Sequence, residues 1–231
     1  MRNLFRSVIP ATAVVGLCLV SAAGAQSIPP QAAPGVWRDK VRSFASANFK
    51  HPAWGYSHCL RDYDLARQLA AEDHVVLDDD VLFGAAFVHD IAAFPKWDAP
   101  KQDHSDRGAE VVGPLLEEMG FPKEKLPAVQ DAIRTHMYYR KPEKAEALYL
   151  HDADALDWLG AIGIARAFAR VDPNGGRPDA ASMAEWIEKD LRDVPSKVFS
   201  APGQARLPAV LAEMRKFMDS LRSQTSNLKA L

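Results

Sequence analysis

Cysteine is scarce in this sequence. Its 231 residues include two cysteines, Cys18 and Cys59. Folds that depend on a framework of disulfide bonds need several cysteine pairs, so this class of protein is excluded. Stability must instead come from a hydrophobic core, and a chain of this length is long enough to bury one within a single domain.

Neither sign of charge is in excess. Lysine and arginine together number 28 against 30 aspartates and glutamates, which makes the formal net charge -2. The sequence also lacks a basic stripe of the kind that follows a phosphate backbone. We therefore expect no nucleic acid partner, whereas a small phosphorylated molecule is compatible with this charge.

The sequence lacks an apolar run long enough to cross a bilayer, which takes about 20 consecutive residues. A shorter apolar run, residues 7–20, follows Arg2 and Arg6 and precedes an A-x-A pattern at residues 23–25. This order is typical of a cleavable secretory signal peptide. We expect a secreted or periplasmic protein without a stable membrane anchor after cleavage, and an uncleaved N-terminal anchor is the alternative.

The predicted domain organisation follows from this signal. We expect residues 1–25 to be the signal peptide, residues 26–35 a short linker and residues 36–231 a single domain. Removal of the signal peptide leaves Cys59 as the one cysteine of the mature chain. A single cysteine cannot close an intramolecular disulfide.

Period-two alternation of apolar and polar residues is also missing, so strands are at most minor. Apolar residues instead recur every three or four positions, which is typical of amphipathic helices and predicts an all-α fold. The predicted helices cover about residues 57–72, 79–92, 106–119, 123–138, 142–168 and 180–192, with a last helix from about residue 208.

One predicted helix is apolar on every side. Residues 81–88 read VLFGAAFV, which is typical of a central helix surrounded by others, and His89 and Asp90 follow directly. A buried ionised aspartate is costly unless a positive group pairs with it, and this helix contains no lysine or arginine. The partner must come from elsewhere in the chain or be a metal ion. The alternative is an ordinary helix end at which both side chains reach water.

Further polar residues stand where helix faces predict apolar ones. His58 opens one predicted helix, His104 precedes another and His136 completes the apolar face of a third, while Asp152 and Asp154 lie in the apolar segment LYLHDADALDWLGAIG. Each alone is typical of a core or capping residue. Helical bundles, however, build metal sites from histidines and carboxylates that project inward from facing helices. The pattern supports a metal site and satisfied polar residues about equally.

These residues occur in a familiar order. His58, then His89-Asp90, then an aspartate about sixty residues later resembles the HD-domain superfamily of metal-dependent phosphohydrolases. The resemblance to its small stand-alone members extends from about residue 55 to residue 170, and more weakly through the last helix. It is carried by the segments HCLRDYDLA, FGAAFVHDI, HSDRGAEVV, AIRTHMYY and HDADALDWLGAIGIAR.

The resemblance implies an HD-domain helical bundle around a metal site, and it implies roles for particular residues. The metal ligands would be His58, His89, Asp90 and Asp154, with Asp152 as an alternative ligand or a supporting residue. The catalytic residues would be Asp90, which orients the attacking water, and His104 and His136. These two histidines match the pair that holds a second metal in binuclear members, and otherwise they would contact substrate or protonate the leaving oxygen.

The remaining candidates are basic residues and histidines outside this set. Arg61 and Lys96 are expected to bind substrate, with Lys101 a weaker candidate, because family members place phosphate-contacting groups nearby. A solvated surface lysine is the alternative for both lysines. We expect the other histidines to lie on the surface or in loops; they are His51, His74 and His151.

Mixed imidazole and carboxylate ligands suit Mn, Fe, Co, Ni or Zn better than Mg, so we expect one or two divalent transition metal ions. The resemblance implies hydrolysis of a small phosphorylated molecule, such as a nucleotide phosphomonoester, by metal-activated water. Two alternatives stay open. One is a cyanamide hydratase-like hydro-lyase that acts on a small nitrile, and the other is a non-catalytic module that binds a metal or a nucleotide.

Overall fold

The computed structural model describes residues 35–172, 174–175 and 177–231. The predicted signal peptide and most of the predicted linker lie outside the described residues. Within the described part, the regular structure is helical apart from one antiparallel bridge between Asp172 and Arg177. The all-α prediction is therefore confirmed. The helices of this part are α1 (Val36–Asn48), α2 (Tyr56–Glu72), α3 (Asp79–Val88), α4 (His104–Met119), α5 (Leu126–Thr135), α6 (Ala145–Asp157), α7 (Gly160–Phe168), α8 (Ala180–Asp193) and α9 (Ala201–Gln224).

Helix α3 is the centre of the bundle. Every residue from Val81 to Val88 is buried, and the helix packs against α1, α2, α5 and α6. Its start is capped by Asp78, whose side chain accepts hydrogen bonds from the backbone N–H groups of Asp80 (3.1 Å) and Val81 (3.3 Å). The apolar pattern therefore predicted its central position correctly, because a helix surrounded by others has no solvent face.

The predicted helix over residues 142–168 is wrong, because the chain folds there as two helices. Helix α6 ends at Asp157 and α7 begins at Gly160, whose φ of +64° lies in the left-handed region that favours glycine. A Cβ atom on Gly160 would also approach Oε2 of Glu213 to 3.0 Å. The apolar pattern continues through this bend, so it does not reveal the break.

The predicted start of the last helix is also wrong. Helix α9 begins at Ala201, and its cap is Ser200, whose hydroxyl accepts a hydrogen bond from the backbone N–H of Gly203 at 3.2 Å. Pro202 occupies the first turn, where a missing N–H costs nothing, and Pro208 lies inside the helix. The predicted start, at about residue 208, thus falls at the second proline of this helix, whereas the first proline lies in its first turn.

Helix ends bring the candidate residues together. Helix α2 packs against α6, and α5 packs against both α3 and α4. The candidate residues lie at the start of α2, directly after α3, at the start of α4, directly after α5 and in the second half of α6. No helix in the described part of the chain is both long and apolar enough to span a membrane.

Candidate metal centre

The first candidate ligand is His58, in the first turn of α2. The helix starts directly after Gly55, where any Cβ atom would collide with the backbone carbonyl oxygens of Phe49 and His51. His58 is fully buried, and its Nδ1 atom lies 2.8 Å from Oδ2 of Asp157. Because the carboxylate can only accept, Nδ1 carries the proton and the lone pair of Nε2 faces the interior of the bundle.

His89 and His136 are held in the same way as each other. Each is the residue that follows the last residue of a helix, α3 and α5 respectively. The Nδ1 atom of His89 donates to the carbonyl oxygen of Ala86 at 2.9 Å, and that of His136 donates to Ile133 at 2.6 Å. The last carbonyl groups of a helix have no partner within it, so they are available to orient these two rings. Both rings therefore present Nε2 as an acceptor.

The carboxylates of Asp90 and Asp154 lie against these nitrogens. Nε2 of His58 is 3.3 Å from Oδ1 of Asp154, 3.6 Å from Oδ2 of Asp90 and 3.1 Å from Nε2 of His89. The four side chains predicted as ligands, although remote in the sequence, thus form one cluster. The ordinary helix end with both side chains in water is therefore wrong, since the exposed fractions of His89 and Asp90 are 0% and 8%.

The cluster includes a residue that sequence analysis missed. Oδ2 of Asp62 lies 3.1 Å from Nε2 of His58 and 3.6 Å from Nε2 of His89. The spacing of four residues between His58 and Asp62 places both on one face of α2. That spacing in HCLRD was the signal that could have identified Asp62 as a site residue.

Several polar atoms of this cluster are buried and unsatisfied. In the described part of the chain, both carboxylate oxygens of Asp62 and the Nε2 atom of His136 are buried without a hydrogen-bond partner. Buried lone pairs and negative charges that face one another are costly unless a cation lies between them. One ligand atom from each of His58, Asp62, His89 and Asp154 lies within 4.8 Å of all the others, and a second such group is His89, Asp90 and His136. These residues therefore fit a divalent metal ion.

The pKa shifts reflect this concentration of carboxylates. Burial and the Arg166 guanidinium lower the pKa of His58, but the nearby carboxylates outweigh both and raise it well above 6.5. Burial raises the pKa of Asp62 above its usual value. Burial also opposes ionisation of Asp90, yet the surrounding histidines hold the pKa of that carboxyl well below its usual range. The cluster is an environment that favours positive charge.

The two oxygens of Asp90 face different histidines. Oδ2 faces His58 and His89 (3.5 Å to the latter), whereas Oδ1 lies 3.5 Å from Nε2 of His104 and 3.5 Å from Nε2 of His136. Asp90 is therefore shared between two sets of histidines, one on each side of its carboxylate. The side chain of His104 is 27% exposed, whereas that of His136 is fully buried.

A cavity of about 290 Å³ adjoins this cluster. Asp90, His104 and Asp154 contribute to its lining, together with the cation Arg170 and the acid Asp190. The rest of the wall is mainly aromatic, and these residues are Trp54, Tyr138, Tyr139, Trp158 and Trp186. A substrate in this cavity would contact the candidate metal ligands directly.

Comparison with protein families identifies the domain that contains this cluster. Residues 55–159 match the family model described as the HD domain. This chain contains an HD domain. The matched segment holds all four predicted ligands and Asp62. HD domains typically bind divalent metal ions, and the buried His/Asp cluster fits such an ion. The predicted HD domain is confirmed.

Solved structures share the fold of the HD domain and its flanking helices. Bacillus subtilis YpgQ is 22% identical, with a TM-score of 0.62 over 83% of this chain and 97% of that chain. YpgQ in complex with ADP is 23% identical, with a TM-score of 0.61 over 84% and 97%. A predicted HD-superfamily hydrolase from an uncultured Thermotogales bacterium is 24% identical, with a TM-score of 0.56 over 81% and 90%. No curated protein sequence matches this chain.

A second layer of the HD domain surrounds the histidines. Asp157 contacts His58 and accepts hydrogen bonds from Nε of Arg61 (2.7 Å) and Nη1 of Arg166 (2.8 Å). Arg166 also donates to the carbonyl oxygen of Ala53 at 2.6 Å, and its Nη2 lies 3.2 Å from Nε2 of His58. Burial opposes ionisation of Asp157, but Arg61 and His58 more than offset it and lower the pKa of Asp157.

The basic residues expected to bind substrate lie away from the cavity. The guanidinium of Arg61 is held by Asp157, and Arg61 does not line the cavity. Lys96 is exposed, with its amino group 4.7 Å from the centre of the Trp97 ring, and Lys101 is exposed as well. A role for Arg61 or Lys96 in substrate binding therefore stays a prediction without a contact to support it.

Asp152 and His151 form hydrogen bonds with backbone groups and lie outside the cluster. The Asp152 carboxylate accepts hydrogen bonds from the backbone N–H groups of Phe199 (2.9 Å) and Ser200 (2.6 Å), directly before α9. Of the two aspartates considered, Asp154 is the one in the cluster. The prediction that His151 lies on the surface or in a loop is wrong, because it is part of α6 and is fully buried between the carbonyl oxygens of Thr135 (3.0 Å) and Lys197 (2.8 Å).

Proposed function

We propose that this protein is a metal-dependent phosphohydrolase that acts on a small phosphorylated molecule, with a nucleotide phosphomonoester as the preferred substrate class. One observation carries the proposal. The Asp90 carboxylate joins two sets of histidines and lies at the wall of an open cavity, so the candidate metal ligands and a substrate would meet there. HD-superfamily hydrolases among the structural neighbours support this class of reaction.

The ligands of the first metal ion would be His58, His89, Asp90 and Asp154, with Asp62 next to them. A divalent ion such as Mn, Fe, Co, Ni or Zn supplies a water nucleophile acidified towards neutral pH and neutralises charge on phosphoryl oxygens. Asp90 would accept a hydrogen bond from the attacking water and thereby orient it towards the phosphorus atom.

The two remaining histidines would have different tasks. His104 lines the cavity and is partly exposed, so it is placed to give a proton to the leaving oxygen of the ester. His136 is fully buried, does not line the cavity and has an Nε2 atom that makes no hydrogen bond within the described residues. It is better placed to hold a second ion, next to Oδ1 of Asp90, than to meet the substrate.

The shape and lining of the cavity favour a substrate that carries a ring. Aromatic side chains form much of its wall, and such surfaces stack with nucleobases. Bacillus subtilis YpgQ, which shares the fold, has been solved in complex with ADP. A cavity of about 290 Å³ is also larger than a small nitrile requires, so the hydro-lyase alternative has less support.

We also propose that the protein acts outside the cytoplasm, on the basis of the signal-like order of residues 1–25. Cell fractionation with N-terminal sequencing tests this proposal. A mature protein that begins after residue 25 in the periplasm or medium would support it, and an intact cytoplasmic chain would refute it.

Metal analysis and a panel of phosphoesters, with cyanamide included, test the proposed function. Wild-type protein should bind one or two transition metal ions and hydrolyse phosphomonoesters, and His89→Ala and Asp90→Ala should lose both properties. His74→Asn is the matched control, because His74 is an exposed histidine with a positive φ that asparagine tolerates. Hydration of cyanamide without phosphatase activity would favour the hydro-lyase, and full metal content without any turnover would favour a binding module.

A further inference from the structure

Arg170 lies at the edge of the proposed active site. It follows α7 by two residues and lies beyond the matched HD segment. It lines the same cavity as Asp90, His104 and Asp154. In the described part of the chain its guanidinium makes no ion pair, and its Nε atom is buried without a hydrogen bond.

Aromatic rings surround this guanidinium. Its central carbon lies 4.3 Å from the ring centre of Trp186, 5.3 Å from that of Trp158 and 5.4 Å from that of Trp54. Cation–π contacts of this kind hold the side chain in place without neutralising its charge. The indole N–H group of Trp54 is likewise buried without a hydrogen-bond partner in this part of the structure. The polar groups of these wall residues that lack a hydrogen-bond partner are thus N–H donors.

The two arginines that are fully buried among the described residues have their charge balanced, whereas Arg170 is only partly buried. Arg166 contacts Asp157 at 2.8 Å, and Arg38 contacts Asp79 at 2.8 Å and also Asp80. Burial, with the charge of Arg177, lowers the pKa of Arg170 to about 10, which leaves the side chain positive at neutral pH. A partly buried cation that lacks a carboxylate partner is costly to stability, and such costs are concentrated at functional sites.

Asp190 is the candidate counterion for Arg170, because it lines the same cavity. It makes no ion pair with Arg170 within the described residues, and burial raises its pKa to about 7. At neutral pH this carboxyl is therefore only partly ionised, and it does not supply a full negative charge to Arg170. An anion that enters the cavity would supply one.

We propose that Arg170 binds a phosphate group of the substrate and so selects phosphate esters over uncharged nucleosides. This inference deepens the proposed function and rests on it. A guanidinium presents a planar set of donors that matches the oxygens of phosphate, and charge-assisted hydrogen bonds of this type are strong. The aromatic wall would contact the ring of the ester, while Asp90 and Asp154 lie at the same cavity.

Binding to the full mature chain, treated with chelator, tests this assignment without turnover. AMP and adenosine are titrated against wild type and variants, with calorimetry and tryptophan fluorescence as readouts. Arg170→Gln should weaken AMP binding by about tenfold or more and leave adenosine binding unchanged. Arg170→Lys, which keeps the charge but not the planar donors, should fall between wild type and Arg170→Gln.

Arg177→Gln is the matched control. Arg177 also lies over the Trp186 ring, at 4.1 Å, but it does not line the cavity. Its loss should change AMP affinity by no more than about twofold, because a charge away from the ligand is screened. Equal losses in Arg170→Gln and Arg177→Gln, or no preference of wild type for AMP over adenosine, would overturn the assignment.

Turnover by the metal-loaded protein is measured separately, so the two proposals can fail independently. Selective loss of AMP binding in Arg170→Gln, without hydrolysis of any ester by wild type, would support the phosphate site and refute the phosphohydrolase. Hydrolysis by wild type with an unchanged AMP affinity and KM in Arg170→Gln would refute the phosphate site alone.

Discussion

The Nδ1 atom of His58 lies 2.8 Å from Oδ2 of Asp157, although the two residues are 99 positions apart in the chain. This contact determines which ring nitrogen of His58 carries the proton, and it turns Nε2 towards Asp62 and Asp154. Arg61 and Arg166 hold Asp157 in turn. The orientation of the first candidate ligand thus depends on a residue that would never touch the metal ion.

Asp157→Asn should weaken metal binding while the fold is retained. The amide cannot be a charged acceptor for His58 Nδ1, and loss of such supporting contacts typically costs about 10- to 100-fold in metal affinity. Competition with a chelator of known affinity measures the effect. Asp219→Asn, at a side chain that is 76% exposed, controls for loss of one negative charge. An Asp157→Asn affinity equal to that of wild type would show that the contact is dispensable.

Substitutions of Asp152 and Asp154 should have different effects, the first on stability and the second on metal binding. Asp154→Asn should lower metal content, because Oδ1 of Asp154 lies in the cluster. Asp152→Ala should keep the metal stoichiometry but lower the free energy of unfolding by about 1–3 kcal/mol, because the N–H groups of Phe199 and Ser200 lose their acceptor. Metal analysis and urea unfolding of the metal-free proteins measure both effects. The opposite assignment would require Asp152→Ala to lose metal and Asp154→Asn to retain it.

His104 and His136 should differ in the step that they affect. His104→Ala should lower kcat with metal content unchanged, because this histidine lines the cavity. His136→Ala should reduce the number of ions bound per chain, because its buried Nε2 lies among metal-ligating atoms. Steady-state kinetics combined with metal analysis distinguishes the two. Loss of metal in His104→Ala but not in His136→Ala would reverse the proposed roles.

Asp190 should make stability fall as pH rises. Burial raises its pKa from 3.8 to about 7 in the folded protein. Between these two values the folded state binds more protons than the unfolded state, so folding loses stability as pH increases from about 4 to 7. Asp190→Asn removes this contribution, and its Tm relative to wild type should therefore increase between pH 5 and pH 8. A Tm difference that stays constant over this range would contradict the raised pKa.

The sequence predicted the helical fold and much of the cluster because both depend on local patterns. His89 and Asp90 directly follow an all-apolar helix, and their burial follows from the position of that helix at the centre of the bundle. The bend at Gly160 could not be predicted in the same way. Apolar periodicity runs through it, and the left-handed φ of that glycine is visible only in the folded chain.

The supporting residues were missed for a different reason. Asp62 is four residues after His58 and Asp157 is three after Asp154, so helical spacing could have suggested both. The aromatic wall and Arg170 come from segments far apart in the sequence, and no motif connects them before the helices pack. The burial of His151 could not be predicted because the carbonyl groups that satisfy it, those of Thr135 and Lys197, come from other parts of the chain.

Anomalous diffraction from crystals of the metal-loaded mature protein tests the central claim most directly. We predict a strong peak at about 2.0–2.3 Å from Nε2 of both His58 and His89, with carboxylate oxygens of Asp90 and Asp154 completing the site. A peak located away from these side chains would contradict the account. So would crystals grown with excess metal in which the His58–Asp154 cluster binds no ion.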